Sequence, residues 1–282
     1  MAALRVVTWN IRAAIGPGPF PGSWWRRVDP QRLSAIGTVI RSLEADLVAL
    51  QEVAVLSFDG ALVNNTADLA TATGYEARFA ATRHFTMDEA DGRPSGAGLF
   101  GNALLSRLPL GSVRAVALPM APSDALVEPR GVDHPLAGLR YADAPPTIRE
   151  PRCLLLAEAR LPDAGSVRIG VTHLAHVGSG ERRLQAAACA AAMAEGEPAA
   201  SVLAGDLNAA MEADELAPLR DGWTDAFGAV GVPIGDHRRE TTDDGAAIDH
   251  VLVRGLRVVS CRRVDEAGWL SDHLPLVADL DV

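Results

Sequence analysis

Short apolar segments with the two-residue periodicity of β-strands alternate along the whole chain with segments that repeat their apolar residues every three to four positions, as helices do. This alternation is the feature that most constrains the fold, because strands and helices in alternation form sheets covered by helical layers. No Gly/Ser linker, charge block or fixed-period repeat divides the 282 residues. The sequence therefore predicts one α/β domain over residues 1–282.

The predicted strands are short and numerous. They cover residues 4–11, 47–50, 99–105, 153–159, 167–172, 201–204, 248–253, 256–264 and 274–280. One helix is predicted to begin at Asp29-Pro30, where Asp caps free amides and Pro takes the first helical position. Further helices are predicted at 66–73, 181–194 and 213–220. So many short strands favour two sheets covered by helices over one doubly wound sheet.

Composition and charge exclude several classes of protein. Hydrophobic residues make up 48% of the chain and charged residues 22%, which excludes intrinsic disorder as the main state. The net charge of −10 excludes a uniformly basic surface for non-specific nucleic-acid binding, although it allows a local basic groove. No apolar run reaches the roughly 18 residues of a membrane span, and no export signal is recognisable, so we expect a cytoplasmic protein.

Two loop regions and the cysteines bear on function. Residues 119–151 contain seven of the eighteen prolines and no periodicity, so this excursion either covers the substrate or is a tolerated insertion. Trp24 and Trp25, with two arginines after them, either stack on a base or sugar or cover a core edge. Cys153, Cys189 and Cys261 are widely separated in apolar segments and are predicted to be buried reduced thiols.

Acidic, amide and histidine residues recur where the predicted strands begin or end. They are Asn10, Glu52, His173, Asp206, Asn208, Asp249, His250, Asp272 and His273. Any one of them is more often a turn former or a helix cap than a catalyst. Their recurrence along one chain predicts a shared cleft, in which carboxylate and amide oxygens suit a hard cation and the remaining groups suit phosphate chemistry.

The segments that carry these residues resemble, in order, the motif series of the endonuclease/exonuclease/phosphatase (DNase I-like) superfamily. They are Thr8-Trp9-Asn10, Gln51-Glu52, Gly101-Asn102-Ala103-Leu104-Leu105-Ser106-Arg107, Glu150-Pro151-Arg152, Thr172-His173-Leu174, Gly205-Asp206-Leu207-Asn208, Ile248-Asp249-His250-Val251 and Ser271-Asp272-His273-Leu274-Pro275. The resemblance spans nearly the whole chain. It implies a four-layer α/β sandwich, with two packed β-sheets flanked by helices. It also implies hydrolysis of phosphate esters with a divalent cation, usually Mg²⁺, for which Mn²⁺ is a substitute.

The resemblance assigns a metal ligand set and a water-activating pair. It implies that Glu52 is the main metal ligand, assisted by Asn10 and, directly or through water, by Asp272. Oxygen ligands of this kind match the preference of Mg²⁺. Asp206 would orient and deprotonate the attacking water, and Asn208 would hold the water or a phosphoryl oxygen.

The resemblance also assigns residues to the phosphate. His273 would contact the phosphoryl group and would be oriented by Asp249 through its other ring nitrogen. His173 would bind the phosphate from a second side, and Arg152 would add a fixed positive charge. Because phosphoryl transfer depends mostly on positioning and charge stabilisation, these groups are chemically sufficient.

Other polar residues have more than one interpretation. Asn102 and Arg107 either close a core strand or contact the substrate, and the first is the preferred interpretation. His250 stands where this family often has an aromatic residue and is expected to pack. Four loop histidines are interpreted as surface residues: His84, His134, His176 and His237.

The substrate stays open within the superfamily. Two features depart from the apurinic-site endonuclease branch. That branch usually has a Lys shortly after its QE motif, where this chain has Val53-Ala54, and a Tyr-x-Pro-Asn motif where this chain has His173. We predict a Mg²⁺-dependent phosphodiesterase, with a nuclease as the first choice and a phosphomonoesterase or an inositol or lipid-headgroup phosphatase as the alternative. A third hypothesis is a catalytically inactive binding module. The expected partner is a phosphate-ester substrate, with nucleic acid as one candidate, and no protein partner is implied.

Overall fold

The computed structural model describes residues 3–18, 24–88, 94–120, 150–162, 165–268 and 270–282. In these residues the chain forms two mixed β-sheets packed face to face, with helices on their outer sides. The predicted four-layer α/β sandwich is confirmed. Residues 121–149 of the irregular excursion lie outside the described residues, so its role stays a prediction.

The first sheet brings the two ends of the chain together. Its strands are β1 (Ala3–Asn10), β2 (Leu47–Phe58), β3 (Ala61–Asn64), β4 (Glu76–Asp88), β5 (Pro94–Ser106), β12 (Arg257–Arg263) and β13 (Leu276–Asp281). Their order is β12-β13-β1-β2-β5-β4, and β3 pairs with β2. Because β1 and β2 are parallel, Asn10 at the end of β1 lies beside Gln51 of β2.

The second sheet aligns the ends of two further strands. Its strands are β6 (Leu110–Ala117), β7 (Cys153–Arg160), β8 (Ser166–His173), β9 (Ser201–Asp206), β10 (Thr224–Asp225) and β11 (Asp249–Arg254). Their order is β10-β11-β9-β8-β7-β6. Parallel pairing of β8 with β9 puts His173 opposite Asp206, and antiparallel pairing of β9 with β11 puts Asp249 opposite Asp206.

Helices cover the outer faces of the two sheets. They are α1 (Pro30–Ser42), α2 (Asn65–Thr73), α3 (Ser179–Ala194) and α4 (Ala217–Arg220). The short α5 (Ala226–Ala229) instead packs Ala226 and Phe227 into the core between the sheets. The carboxylate of Asp29 accepts a hydrogen bond from the amide of Gln31 and caps α1, as predicted. Ile36 and Ile40 of α1 are fully buried against the first sheet, while Met193 of α3 is buried against the second. None of the helices in the described residues has the length and apolar composition needed to cross a membrane.

The structure differs from the prediction in four strands and one helix. The sequence did not predict β3, β4, β6 or β10. In β6 no residue is fully buried, so the apolar alternation that marks a strand is absent. The predicted helix at 213–220 is a 3₁₀ turn at Asp214–Leu216 followed by the single turn of α4, which has a proline in its first positions. Strand β2 runs on to Phe58, well beyond the predicted 47–50.

Candidate active site

The predicted site residues meet at the edge where β1, β8 and β9 end. Asn10, His173 and Asp206 are the last residues of these strands, and Asp249 is the first residue of β11. All four are at least nine-tenths buried. The strand pairing of the two sheets therefore brings together residues that are far apart in the sequence.

Glu52 reaches this edge through an irregularity in β2. The pairing of β2 with β5 shifts register between Leu50 and Val53, and Glu52 has a φ of 54°. This left-handed conformation is uncommon outside glycine and costs about 1–3 kcal/mol, so it is kept only where the surroundings impose it. A bulge of this kind re-aims a side chain. Here the bulge places Oε1 of Glu52 3.0 Å from the side-chain nitrogen Nδ2 of Asn10, and Nδ2 donates a hydrogen bond to Oε1.

The carboxylate of Asp206 lies at the centre of the cluster. Its Oδ2 accepts a hydrogen bond from Nδ2 of Asn10 at 3.1 Å, and its Oδ1 accepts one from the backbone amide of Asn208 at 2.9 Å. Burial, and then the charge of Asp249, raise the pKa of Asp206 to about 6. These donors favour the charged form, so the carboxylate is ionised above this pH and can accept a proton.

His273 is held as a charged imidazolium by Asp249. Its Nδ1 lies 2.7 Å from Oδ2 of Asp249, and its Nε2 lies 3.8 Å from Oδ2 of Asp206. Burial alone lowers the pKa of His273, but the charge of Asp249 and the hydrogen bond to it overcome this effect and raise the pKa to about 10. At neutral pH both ring nitrogens of His273 are therefore donors.

His173 approaches Asp206 from the other side as a neutral ring. Its Nε2 lies 3.4 Å from Oδ2 of Asp206. Burial, and then the charge of Arg152, keep the pKa of His173 well below its ordinary value. The guanidinium of Arg152 is buried and donates to Glu150 at 2.9 Å. The two histidines beside Asp206 thus differ in charge at neutral pH.

Arg12 is a member of the cluster that the sequence did not reveal. Its Nε lies 3.1 Å from Oδ2 of Asp272, and its backbone amide donates to Oδ1 of Asn10 at 3.1 Å. It therefore orients two of the three predicted metal ligands. The signal that could have found it is its position two residues after Asn10, at the same strand end.

Two groups of side chains in the described residues are able to hold a cation. Ligand atoms of Asp206, Asp249 and His273 lie within 4.8 Å of one another. Within this group, Nδ1 of His273 lies 2.7 Å from Oδ2 of Asp249, so these two atoms already satisfy each other. Among the predicted ligands, Glu52 and Asp272 offer carboxylate oxygens, whereas Asn10 turns its side-chain nitrogen toward Glu52. Burial followed by the charge of Asp272 raises the pKa of Glu52 to about 7. A divalent cation beside these two carboxylates would remove their repulsion, so Glu52 and Asp272 fit a divalent cation.

The structure supports packing roles for three residues with open interpretations. Asn102 is buried and donates to the carbonyl oxygen of Cys153 at 3.1 Å, which ties β5 to β7. Arg107 donates to the carbonyl oxygen of Glu44 at 3.0 Å. His250 is buried, with Nε2 2.9 Å from a backbone carbonyl oxygen. All three are accounted for by contacts within the fold.

The two tryptophans after β1 cover the edge of an apolar cluster. The ring of Trp24 lies 5.5 Å from that of Phe85 and 5.6 Å from that of Phe100, and Trp25 is buried. This arrangement agrees with the second of the two open interpretations. Three of the four histidines predicted to lie in surface loops are exposed, namely His84, His176 and His237, but His84 lies in strand β4 and not in a loop. His134 lies outside the described residues.

Comparisons with known proteins agree with this geometry. A model of the Endonuclease/Exonuclease/phosphatase family matches residues 7–273. The chain is similar to the crystal structure of an endonuclease/exonuclease/phosphatase from Beutenbergia cavernae DSM 12333, with 25% identity and a TM-score of 0.68 over 99% of this chain and 72% of that one. It is also similar to the human Nocturnin catalytic domain with bound sulfate anion, with 18% identity and a TM-score of 0.66 over 99% of this chain and 93% of that one.

A third similar structure is a mannosyl-6-phosphatase from Bacteroides thetaiotaomicron VPI-5482, with 19% identity and a TM-score of 0.63 over 99% of this chain and 100% of that one. At such identities the Nocturnin and phosphatase structures show a shared fold alone. A comparison with curated proteins finds no match.

Proposed function

Because the chain belongs to the endonuclease/exonuclease/phosphatase family, whose members hydrolyse phosphoester bonds and generally depend on a divalent metal, we propose that it hydrolyses phosphate diesters, nucleic acids among them. The observation that carries the proposal is the carboxylate of Asp206, which is fixed by Asn10 and Asn208 and lies between the two histidines. This arrangement provides an ionised base next to a cationic donor.

The proposed cation is Mg²⁺, with Mn²⁺ as a substitute. Asn10, Glu52 and Asp272 would hold it through oxygen atoms, and Arg12 orients Asn10 and Asp272. When bound, it would supply a Lewis acid that polarises the phosphoryl oxygens and offsets their charge.

The proposed base is Asp206. A water hydrogen-bonded to its carboxylate and to Asn208 transfers a proton to Asp206 while the water oxygen attacks phosphorus and the ester P–O bond breaks. The leaving oxygen takes up a proton from solvent water and departs as an alcohol. The pKa of Asp206 at about 6 makes the free carboxylate the main form near neutral pH. Because Asn10 and Asn208 donate to it, its orientation toward the water is fixed before the substrate arrives.

The proposed phosphate ligands lie around this base. His273, protonated and fixed by Asp249, donates from Nε2 to a phosphoryl oxygen and stabilises the charge that develops there. His173 donates from a second side as a neutral ring. Arg152 adds a fixed positive charge beside His173.

Turnover of purified protein tests this proposal. The substrates are plasmid DNA, single-stranded RNA, bis(p-nitrophenyl) phosphate, p-nitrophenyl phosphate and an inositol phosphate, each with Mg²⁺, with Mn²⁺ and with EDTA. Asp206→Ala is the inactive variant. The matched control is Asp221→Ala, because Asp221 is an exposed aspartate outside the cluster.

Metal-dependent cleavage of diesters that Asp206→Ala abolishes and Asp221→Ala retains is the expected result. Release of phosphate from monoesters alone would contradict the diester proposal and assign a phosphatase. Absence of turnover on all five substrates would contradict the enzyme proposal and favour an inactive binding module.

We also propose that residues 1–282 form a single domain. The apolar core shared by the two sheets supports this, since Val6 and Leu47 of the first sheet pack with Leu155 and Val251 of the second. The cytoplasmic location stays a prediction from the sequence.

A further inference from the structure

The carboxylate of Glu150 bridges two arginines at the border of the candidate site. Its Oε1 lies 2.9 Å from Nη1 of Arg83, and its Oε2 lies 2.9 Å from Nη2 of Arg152. Arg83 belongs to β4 of the first sheet, and Arg152 directly precedes β7 of the second. An anionic group at this point therefore joins the two sheets through charge-assisted hydrogen bonds.

Arg152 is built into the protein more rigidly than an ordinary surface arginine. Its side chain is only 6% exposed, and its carbonyl oxygen accepts a hydrogen bond from the amide of Leu118 at 2.9 Å. The next residue, Cys153, is tied to Asn102 through its carbonyl oxygen. The Nε of Arg152 is buried and has no hydrogen-bond partner among the described residues. A buried charged donor without a partner is costly, and a ligand oxygen would satisfy it.

Glu150, in contrast, is held weakly. Its side chain is 37% exposed, and that of Arg83 is 42% exposed. Ion pairs between groups with this exposure contribute little to stability, because water screens them. The pair with Arg83 is therefore weak, and a stronger anion that replaces Glu150 would at the same time give the buried Arg152 a new anionic partner.

The arginine pair lies next to the proposed phosphate site. The antiparallel pairing of β7 with β8 puts Leu154 opposite Thr172, so Arg152, two residues before Leu154, lies at the same end of the sheet as His173, whose Nε2 is 3.4 Å from Asp206. The guanidinium of Arg83 lies over the ring of Phe85, 5.8 Å from its centroid, which limits the freedom of this side chain. From Asp206 outward, the order is thus His173, Arg152 and then Arg83.

We propose that Arg83 and Arg152 form a second anion subsite, in which Arg152 keeps its charge beside the phosphate that is cleaved and joins Arg83 in binding another phosphate group of the substrate. Glu150 is its internal occupant and leaves when this phosphate binds. The inference rests on the proposed function and narrows its substrate class to compounds with two phosphates. Neighbouring phosphates of a nucleic acid and the two phosphates of a bisphosphorylated small molecule share this chemistry.

Matched substrate pairs distinguish these two sources. The first pair compares thymidylyl-thymidine without and with an added terminal phosphate. The phosphorylated member is tested in two forms, one with the phosphate at the 5′ end and one with it at the 3′ end. The second pair is the p-nitrophenyl diester of a hexose 6-phosphate without and with an added phosphate group at position 1. Values of kcat/KM are measured with Mg²⁺, and affinities are measured by calorimetry in EDTA, where no turnover is expected.

Three variants complete the experiment. Arg83→Gln removes one arm of the subsite, and Glu150→Gln removes the competing charge. Arg78→Gln is the matched control, because Arg78 lies on the same strand, is 41% exposed and forms an ion pair with Glu76.

In the wild-type protein the second phosphate is expected to raise kcat/KM and affinity about tenfold within one of the two pairs, the gain of one charge-assisted hydrogen bond. Arg83→Gln should remove this gain and leave the substrate with one phosphate unchanged within about twofold. Glu150→Gln should increase the gain, and Arg78→Gln should leave it unaltered.

Two results would overturn the subsite. One is the absence of any gain from the second phosphate in both pairs, in turnover and in calorimetry. The other is a loss of affinity in Glu150→Gln, which would make Glu150 a support for Arg152 instead of a competitor. Failure of the proposed function is distinguishable from failure of the subsite. If only the proposed function fails, turnover is absent while calorimetry still records tighter binding of the compounds with two phosphates.

Discussion

Asp249→Asn tests whether His273 acts as a charged group. In the protein Asp249 accepts a hydrogen bond from Nδ1 of His273 at 2.7 Å, and its charge is the main reason why the pKa of His273 rises to about 10 against burial. Asparagine keeps an oxygen near this position but has no charge. Since burial disfavours the imidazolium, the pKa of His273 should fall to its ordinary 6.5 or lower.

The size of the effect follows from these two pKa values. At about pH 8, a pKa near 10 leaves about 99% of His273 protonated, whereas a pKa of 6.5 leaves about 3%. If the imidazolium is the form that stabilises the phosphoryl group, kcat at this pH should fall about 30-fold. Activity of the variant should recover as the pH is lowered, because His273 regains its proton.

The assay is the pH dependence of kcat with a soluble diester between about pH 6 and 9. Above its new pKa the variant should lose about tenfold per pH unit, while the wild-type protein should not decline in this range. Asp236→Asn is the matched control, because Asp236 lies 3.6 Å from the exposed ring of His237. Parallel pH profiles for Asp249→Asn and the wild-type protein would refute the charged role of His273.

Stability gives a second readout of the same pair. Because the folded-state pKa of His273 is raised above 6.5, its contribution to the free energy of unfolding is fully present below about pH 6.5 and is lost as the pH rises through about 10. The difference in Tm between the wild-type protein and Asp249→Asn should therefore shrink across this window. A difference that grows with pH would contradict the assignment.

Three further predictions concern the fold around the site. Gly205→Ala should lower the free energy of unfolding by about 2–4 kcal/mol in a denaturant titration, since its Cβ would lie 1.9 Å from the carbonyl oxygen of Thr172; an unchanged midpoint would contradict this. Trp9→Phe removes the hydrogen bond from Nε1 to the carbonyl oxygen of His273 at 2.9 Å and should cost about 1–3 kcal/mol in the same titration, so a cost near zero would count against it. The three cysteines are buried and free, so a thiol reagent should label them slowly in the native protein and fully in denaturant, and rapid native labelling would speak against their burial.

The central strands could be predicted from the sequence, whereas the edge strands could not. In β1, β8 and β9 nearly every residue is buried, so the local apolar pattern records the position of the strand directly. In β6 the side chains are exposed or half-buried, and its pairing with β7 decides its structure. Such long-range pairing leaves only a weak signal in the local sequence.

The sequence predicted which residues belong to the candidate site better than it predicted the ion pairs between them. Asn10 and Asp206 stand at strand ends within recognisable motifs, so their meeting follows from the sheet order. The ion pair of Arg12 with Asp272 joins opposite ends of the chain, and Arg83 and Glu150 are 67 positions apart. Contacts of this kind depend on how the two sheets pack, which no local pattern specifies.

Glu52 is proposed to bind the metal ion and Asp206 to act as the general base. A Mg²⁺ titration of turnover in Glu52→Gln and Asp206→Asn tests these two roles most directly. Glu52→Gln should bind Mg²⁺ more weakly in calorimetry and should regain activity as the Mg²⁺ concentration rises. Asp206→Asn should still bind Mg²⁺ but remain at least about 100-fold less active at every concentration, because the base is missing. Full activity of the wild-type protein in EDTA, or recovery of Asp206→Asn at high Mg²⁺, would contradict these two roles.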